Sequence, residues 1–395
     1  MEFPPFIFPE SEPGAHGQNA QPIVLSTRIR LARNLAGCPF PAKARALQRR
    51  QIQKRCFDAL ATLPRMRDGH FLAMDSIDNL NRTLLVERHL ISKELASAKT
   101  GAVAISHDQT CSVMVNEEDH LRIQVMRGGF QLLRAWRTAT HVDTALERTL
   151  AMAYTGRLGY LTACPTNVGT GLRASAMLHL PGLVFDGEMQ RVIRAVNQDG
   201  LVVRGWHGEG SESTGCIFQV SNQHTLGSPE QAILEHLVFW LRHIIEHEQH
   251  ARYRLLRQNA PRLVDRIMRS YGTLTLAHLL KTGEAMDALS CMRLACDLGM
   301  LPLETRALVD RLTLRCQPAH IQAIVKEKLN PAERTFIRAR LFREAFANTP
   351  PPDLAFARKL FSPSPAPERS LRRRRRNKPN PTPNPPETDA PQPEI

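Results

Sequence analysis

"VNEEDHLRIQ" (residues 115–124) sets three carboxylates, a histidine and an arginine between apolar residues that pattern as a strand. That much charge is out of place in a buried sheet, where an unpaired ion is strongly disfavoured. Whatever the chain does has to account for it.

Outward from this stretch, short β-rich runs alternate with helical patterns from residue 21 to about 255. The runs are "GAVAIS" (101–106), "CSVMV" (111–115), "GYLTAC" (159–164) and "CIFQVSN" (216–222). They predict a mixed α/β or α+β domain. A Ser-Pro entry signal then opens a long amphipathic helix from residue 228 that closes this domain. Residues 256–348 carry leucine, alanine and arginine at helical spacing and predict a small all-helical second domain. Residues 1–20 read as a flexible arm. Residues 349–395 read as a disordered, proline-rich tail holding the five arginines 372–376. A chain of 395 residues is long enough for such a division, because single cores stop growing well below that length.

The net charge of +14 raises a nucleic-acid partner. Part of the excess lies in the tail, however, and much of the rest is arginine dispersed through folded segments, so nucleic acid is expected only at the basic tail. No apolar run approaches the roughly 18 residues of a membrane span. The proline-broken opening "MEFPPFIFPESEPGAHG" lacks the basic flank of a signal peptide. Eight cysteines without CxxC pairs point to reduced thiols. A cytoplasmic protein with no membrane contact is expected.

Among candidate motifs, "GTGLRA" (169–174) fits a dinucleotide pattern, but no βαβ succession surrounds it. A tight turn into a helix, with Arg173 in the first turn facing an anion, is the simpler reading. "HIIEH" (243–247) matches a zinc signature without an evident third ligand, and a solvated helix face is preferred. No P-loop is present. Arginines near strand ends and glycine turns offer another way to hold phosphates: Arg28, Arg30, Arg122, Arg173 and Arg204. Each alone reads as a surface residue. Together their guanidinium forks suit a triphosphate.

In order along the chain, "STRIRLARN", "NEEDHLRIQ", "CPTNVGTGLRAS" and "RGWHGEGSE" resemble the ATP:guanidino phosphotransferases over residues 21–250. "LVERHLIS", "EAMDALSCMRLACDLGML" and "NPAERTFIRARL" are similar to the bacterial protein arginine kinases of that family. The resemblance implies a glutamine-synthetase-like α+β catalytic domain, an antiparallel sheet backed by helices. It also implies a helical C-terminal domain that binds phosphoarginine and supports a homodimer. ATP and Mg²⁺ are the implied cofactors. Arginine-bearing proteins are the implied substrates, with an activator protein, a Clp protease and a stress-response setting around them.

Carried over by motif, the nucleotide site comprises Ser26, Thr27, Arg28, Ile29 and Arg30, then His89 and Arg122. It continues through Arg173, Ala174, Ser175, Ala176 and Met177 to Arg204, Gly205, Trp206, His207 and Gly208. Glu118 and Glu209 match the carboxylates that hold the guanidinium, and Cys164 matches the active-site thiol, with Thr166 beside it. The acids of the opening stretch then mark a substrate-facing strand end whose arginine faces ATP. Glu117 and Asp119 stay ambiguous, since strand neighbours point oppositely and either could belong to a structural ion pair.

The family's allosteric motif RDxxRA reads "RTFIRA" here (334–339). Arg334 and Arg338 fall one turn apart and can still grip a phosphate, while Thr335 cannot pair a guanidinium as aspartate does. Weakened phosphoarginine activation is expected. Two alternatives stand beside the protein kinase. One is a kinase for free arginine, against which the short segment before "STRIR" argues, and the other is a non-catalytic phosphoarginine or polyanion adaptor.

Overall fold

The computed structural model describes residues 23–205 and 214–354. The chain begins with β1 (Val24–Arg33), α1 (Ala46–Ala61), β2 (His70–Ala73), α2 (Asn79–Glu87) and α3 (Lys93–Ser97). It continues through β3 (Ala102–Ile105), β4 (Cys111–Val115), β5 (Leu121–Gly128) and α4 (Leu132–Glu147). After the two-residue strands β6 (Tyr154–Thr155) and β7 (Gly159–Tyr160) come β8 (Leu172–His179), α5 (Pro181–Phe185) and α6 (Met189–Gln198). Then follow β9 (Leu201–Gly205), β10 (Ile217–Asn222) and α7 (Glu230–Gln258). Five helices complete the described chain: α8 (Ala260–Leu276), α9 (Thr282–Asp297), α10 (Glu304–Arg315), α11 (Pro318–Val325) and α12 (Pro331–Phe346).

Eight strands form one antiparallel sheet in the order β2-β3-β4-β5-β1-β8-β10-β9. Period-two alternation decides its two faces. Ile29 and Leu31 of β1, Ile123 and Val125 of β5, and Ala174 and Ala176 of β8 are buried on one face within the main core. The helices α1, α4, α6 and α7 cover that face, α7 supplying Ile233, Leu237, Leu241 and Ile244 at spacings of three and four. Burial of this face is the main driving force for the layer, since removing apolar area from water is the dominant favourable term in folding.

The opposite face is framed from two sides. At the β2–β4 edge, Val103, Ile105 and Met114 pack with Leu85 of α2 and Leu95 of α3. Ser92 caps α3 by accepting from Leu95 N, and Asp78 caps α2 by accepting from Asn81 N. On the other side, Met177 and Ile217 join the core of the C-terminal helices, with Leu263, Ile267, Met292, Leu312 and Phe342. The α12 start is fixed by a capping box between Asn330 and Glu333.

The predicted strands at 101–106, 111–115 and 216–222 are present as β3, β4 and β10. The run at 159–164 is strand only at Gly159–Tyr160. The glycine turn leads into the long strand β8 rather than a helix. Gly169 (φ +114°) and Gly171 (φ +65°) sit where an added Cβ would lie 2.4 Å from Thr225 O and 2.6 Å from Ala32 O. The glycines therefore serve close backbone approach. Pairing of β8 with both β1 and β10 then fixes the extended form.

Candidate active site

Register places all five arginines on the framed face. Arg28 lies opposite Ser175 and Met126; Arg30 lies opposite Arg173 and Gln124. Arg122 pairs Ala32, on the same side as Arg30, and Arg204 pairs Gln219, which pairs Met177. Ser26, Arg28, His89, Met126, Ser175, Met177 and Gln219 line one narrow cavity there. His89, singled out on slender sequence grounds, thus joins the same wall from the end of α2. Thr27, Ile29, Ala174 and Ala176, assigned to the same wall, are 0–1% exposed and carry their side chains on the helix-covered side. Strand alternation turns their side chains away from any nucleotide. Gly205 pairs Phe218 on that covered side as well. Trp206, His207, Gly208 and Glu209 lie outside the described residues.

The cluster is electrostatically unbalanced. Arg28 is drawn down to about 10 by burial first and then by Arg173 and Arg122. Arg30 is held well below its ordinary value by burial and by Arg28, Arg122 and Arg173, with Glu117 opposing. Burial, then Arg204 and Arg122, lower Arg173, while Cys164 and Glu118 oppose. A guanidinium keeps its proton in proteins, so the shifts mark cations held away from water and close to one another, an arrangement that an anion would favour. Arg28 Nη2 donates to Gln219 Oε1 at 2.5 Å, and Arg173 Nη2 reaches Ser221 Oγ at 3.4 Å. The buried Nε atoms of Arg30 and Arg173 have no hydrogen-bond partner among the described residues.

The opening stretch is a hairpin. Residues 116–120 turn between β4 and β5, with Asn116 in the left-handed region at φ 55°. Strand alternation therefore does not govern the acids; their partners do. Glu117, 1% exposed, accepts from Ser92 Oγ at 2.5 Å and Arg122 Nη1 at 2.6 Å, and its other oxygen accepts from Glu118 N at 3.1 Å. Glu118 is 43% exposed and meets Arg122 Nη2 at 3.1 Å. Burial raises its carboxyl above the ordinary range, with Arg122 pulling it down and Asp119, Glu117 and Glu94 pushing it up.

Asp119 is buried and accepts from Asn34 Nδ2 at 2.6 Å and Ala163 N at 2.7 Å. It thereby ties the residue before Cys164 to the hairpin. Cys164, half-buried, precedes a 3-10 turn, and its Sγ lies 3.0 Å from Thr166 Oγ1. One basic face, one raised carboxylate and one polar thiol thus share a sheet end. Sequence reasoning missed Gln219, Ser92 and Asn34, which only tertiary pairing brings to these groups.

Away from this site, Arg338 is 2% exposed, with Nε donating to Cys316 O at 2.7 Å and Nη1 to Leu280 O at 2.9 Å. Arg334 Nη1 donates to Leu329 O at 2.7 Å. In this arrangement the Arg338 guanidinium serves the carbonyl at the end of α10 and a loop carbonyl ahead of α9. Thr335 Oγ1 donates to Ala332 O. His243 Nδ1 contacts Phe239 O, and no group of three or more metal-binding side chains occurs among the described residues. No helix there is long and apolar enough to cross a membrane.

The ATP:guanido phosphotransferase C-terminal catalytic domain model matches residues 51–251, which sets the class suggested by sheet and arginine face. The solved structures agree. Lombricine kinase superposes with a TM-score of 0.52 at 25% identity, covering 59% of this chain and 68% of that one. The duplicated taurocyamine kinase from Schistosoma mansoni shares the fold, with a TM-score of 0.53 at 22% identity over 74% of this chain and 51% of that one. The Protein-arginine kinase McsB C-terminal domain model matches residues 260–356. A protein-arginine kinase from Brevibacillus brevis is 46% identical over 326 residues, covering 82% of this chain and 91% of its own length. One from Symbiobacterium thermophilum is 46% identical over 333 residues, covering 81% and 92%. The chain belongs to the protein-arginine kinases, ATP-dependent phosphotransferases that act on a guanidino nitrogen.

Proposed function

We propose that the arginine face holds the ATP triphosphate and that arginine side chains of proteins receive the γ-phosphoryl group at the 116–120 hairpin. The observation that carries this is the convergence of five arginines on one sheet face, next to a carboxylate that burial has raised.

The acceptor's difficulty sets the demands on the site. Arginine has a pKa above about 12, so baring its nitrogen at neutral pH costs on the order of 7 kcal/mol. Glu118 aligns the guanidinium and accepts its proton as the nitrogen attacks, with Glu209 as the second carboxylate. The Cys164 sulfur sits beside the substrate nitrogens, held by its contact with Thr166 Oγ1. Glu117 and Asp119 hold the hairpin in place. Arg28, Arg30, Arg122, Arg173 and Arg204 neutralise charge on the transferring group, where phosphoryl transfer gains most of its catalysis. Mg²⁺ would enter with the triphosphate as part of the substrate and would add to the neutralisation of its charge.

The same reading, carried by the family resemblance, includes a homodimer, an activator protein and hand-over of marked proteins to a Clp protease. Rapid-quench turnover with Mg·ATP and an unfolded arginine-rich protein tests the assignment. Glu118→Gln and Glu209→Gln should each depress the transfer step, and the double variant should fall by less than their product, as expected of groups acting as a unit. A Glu118→Gln enzyme with normal transfer would remove the hairpin from the mechanism.

A further inference from the structure

The two sides that frame the arginine face meet where α2 packs on α11. Glu87, the last residue of α2, accepts from Ala319 N at 2.8 Å and His320 N at 3.1 Å, in the first turn of α11. Gln317, at the N-cap of α11, makes no side-chain cap hydrogen bond. A carboxylate from more than two hundred residues away thus supplies the cap, where it also complements the positive end of the helix. His320 Nδ1 donates to Glu87 Oε2 at 2.7 Å, and its Nε2 accepts from Arg88 Nε at 3.3 Å. With the imidazole neutral and its proton on Nδ1, every partner is satisfied. Both side chains are largely buried, at 9% and 12% exposed.

His89 follows directly. Its backbone takes a left-handed φ of 58°, which a residue other than glycine holds only when its surroundings impose it. On one side the Glu87–α11 cap fixes the preceding residues. On the other, Gln124 Nε2 donates to His89 O at 2.7 Å. The imidazole held this way lines the cavity with Arg28, Ser175 and Gln219. At the far side of the contact, Arg338 of α12 donates to Cys316 O, just ahead of α11.

We propose that Glu87 is a positioning residue: by capping α11 it sets His89 in the nucleotide wall, so that the C-terminal helices determine how tightly the catalytic sheet binds ATP. This rests on reading that cavity as the nucleotide site. The contact acts on the cavity through His89, while the hairpin is held separately by Ser92 and Arg122 on Glu117, so its influence falls on ATP more than on the arginine acceptor.

Steady-state kinetics of the full chain, varying Mg·ATP and an unfolded protein substrate separately, test it. Glu87→Gln should raise KM for ATP about tenfold, the order of one buried charge-assisted hydrogen bond, with KM for the protein substrate unchanged. His320→Ala, made on the other side of the contact, should do the same. The double variant should be no worse than either single one, because both break one interaction. The His320 variant also keeps the test open should Glu87→Gln fail to fold. Wild-type KM for ATP in both single variants, or equal rises for both substrates, would overturn the proposal. Arg28 lines the same cavity, and an Arg28→Ala enzyme with wild-type KM for ATP would remove the nucleotide reading of that cavity, and this proposal with it.

Discussion

Arg122 Nη2 lies 3.1 Å from Glu118 Oε2, so a residue of the phosphate-facing cluster holds the carboxylate assigned to the acceptor guanidinium. An arriving arginine substrate must share or displace that partner. Glu118 is the solvent-exposed member of the pair and Arg122 keeps Glu117 as a second partner, so the exchange costs little, on the order of the 0–1 kcal/mol of an exposed ion pair. Glu118→Gln should therefore leave the melting temperature nearly unchanged. It should lower kcat by about 10²–10⁴, the range of general-base catalysis.

Glu117 predicts the reverse. It is buried with Ser92 and Arg122 as partners, and removing one member of a buried pair costs about 3–5 kcal/mol. Glu117→Ala should lower the denaturation midpoint clearly. A variant as stable as the parent would show that the hairpin does not depend on it.

The raised Glu118 carboxyl sets a pH dependence. A base must be ionised to take a proton, so kcat/KM should fall on acidification, through an apparent pKa above the ordinary glutamate range. Glu94 contributes to that rise. Glu94→Gln should move the acidic limb to lower pH while leaving the plateau rate intact, as a pH–rate profile would record.

Mutual repulsion among the arginines predicts a trade between stability and binding. Arg30 is buried beside Arg28, Arg122 and Arg173. Arg30→Met should leave the ligand-free protein at least as stable as the parent and abolish its stabilisation by Mg·ATP. In the parent that stabilisation should reach about 2.7 kcal/mol at a hundredfold excess over Kd. Thermal melts with and without Mg·ATP measure both quantities.

How legible the site was depended on distance along the chain. Arg28 and Arg30 could be placed on one side of a strand because period two operates within a few residues. The same rule, applied strictly, would have turned Thr27, Ile29, Ala174 and Ala176 inward; carrying whole motifs across obscured it. The glycine turn was misread because glycines at positive φ can precede a helix or a strand, and the flanking strands β1 and β10 decided between them. Glu117 and Asp119 were ambiguous because they lie in a turn, where partners as remote in sequence as Ser92, Asn34 and Ala163 assign their roles. The Glu87 cap on α11 has no local signature at all.

Arg338 carries a prediction that separates structure from regulation. Its guanidinium serves the carbonyls of Cys316 and Leu280, and leaving buried acceptors unpaired costs about 1–3 kcal/mol each. Arg338→Ala should therefore destabilise the C-terminal helices whether or not phosphoarginine is present. Free phosphoarginine should bind the intact protein weakly by calorimetry. Tight binding that depends on Arg338 would assign it as a phosphate ligand.

The most direct test locates the transferred phosphate. Purified protein is incubated with Mg·ATP and either free arginine or an unfolded arginine-rich protein, and acid-labile phosphate is mapped by mass spectrometry. We predict phosphate on protein arginines, strongly reduced in Glu118→Gln and in Glu209→Gln. Turnover of free arginine alone, or transfer undiminished in both variants, would contradict the account.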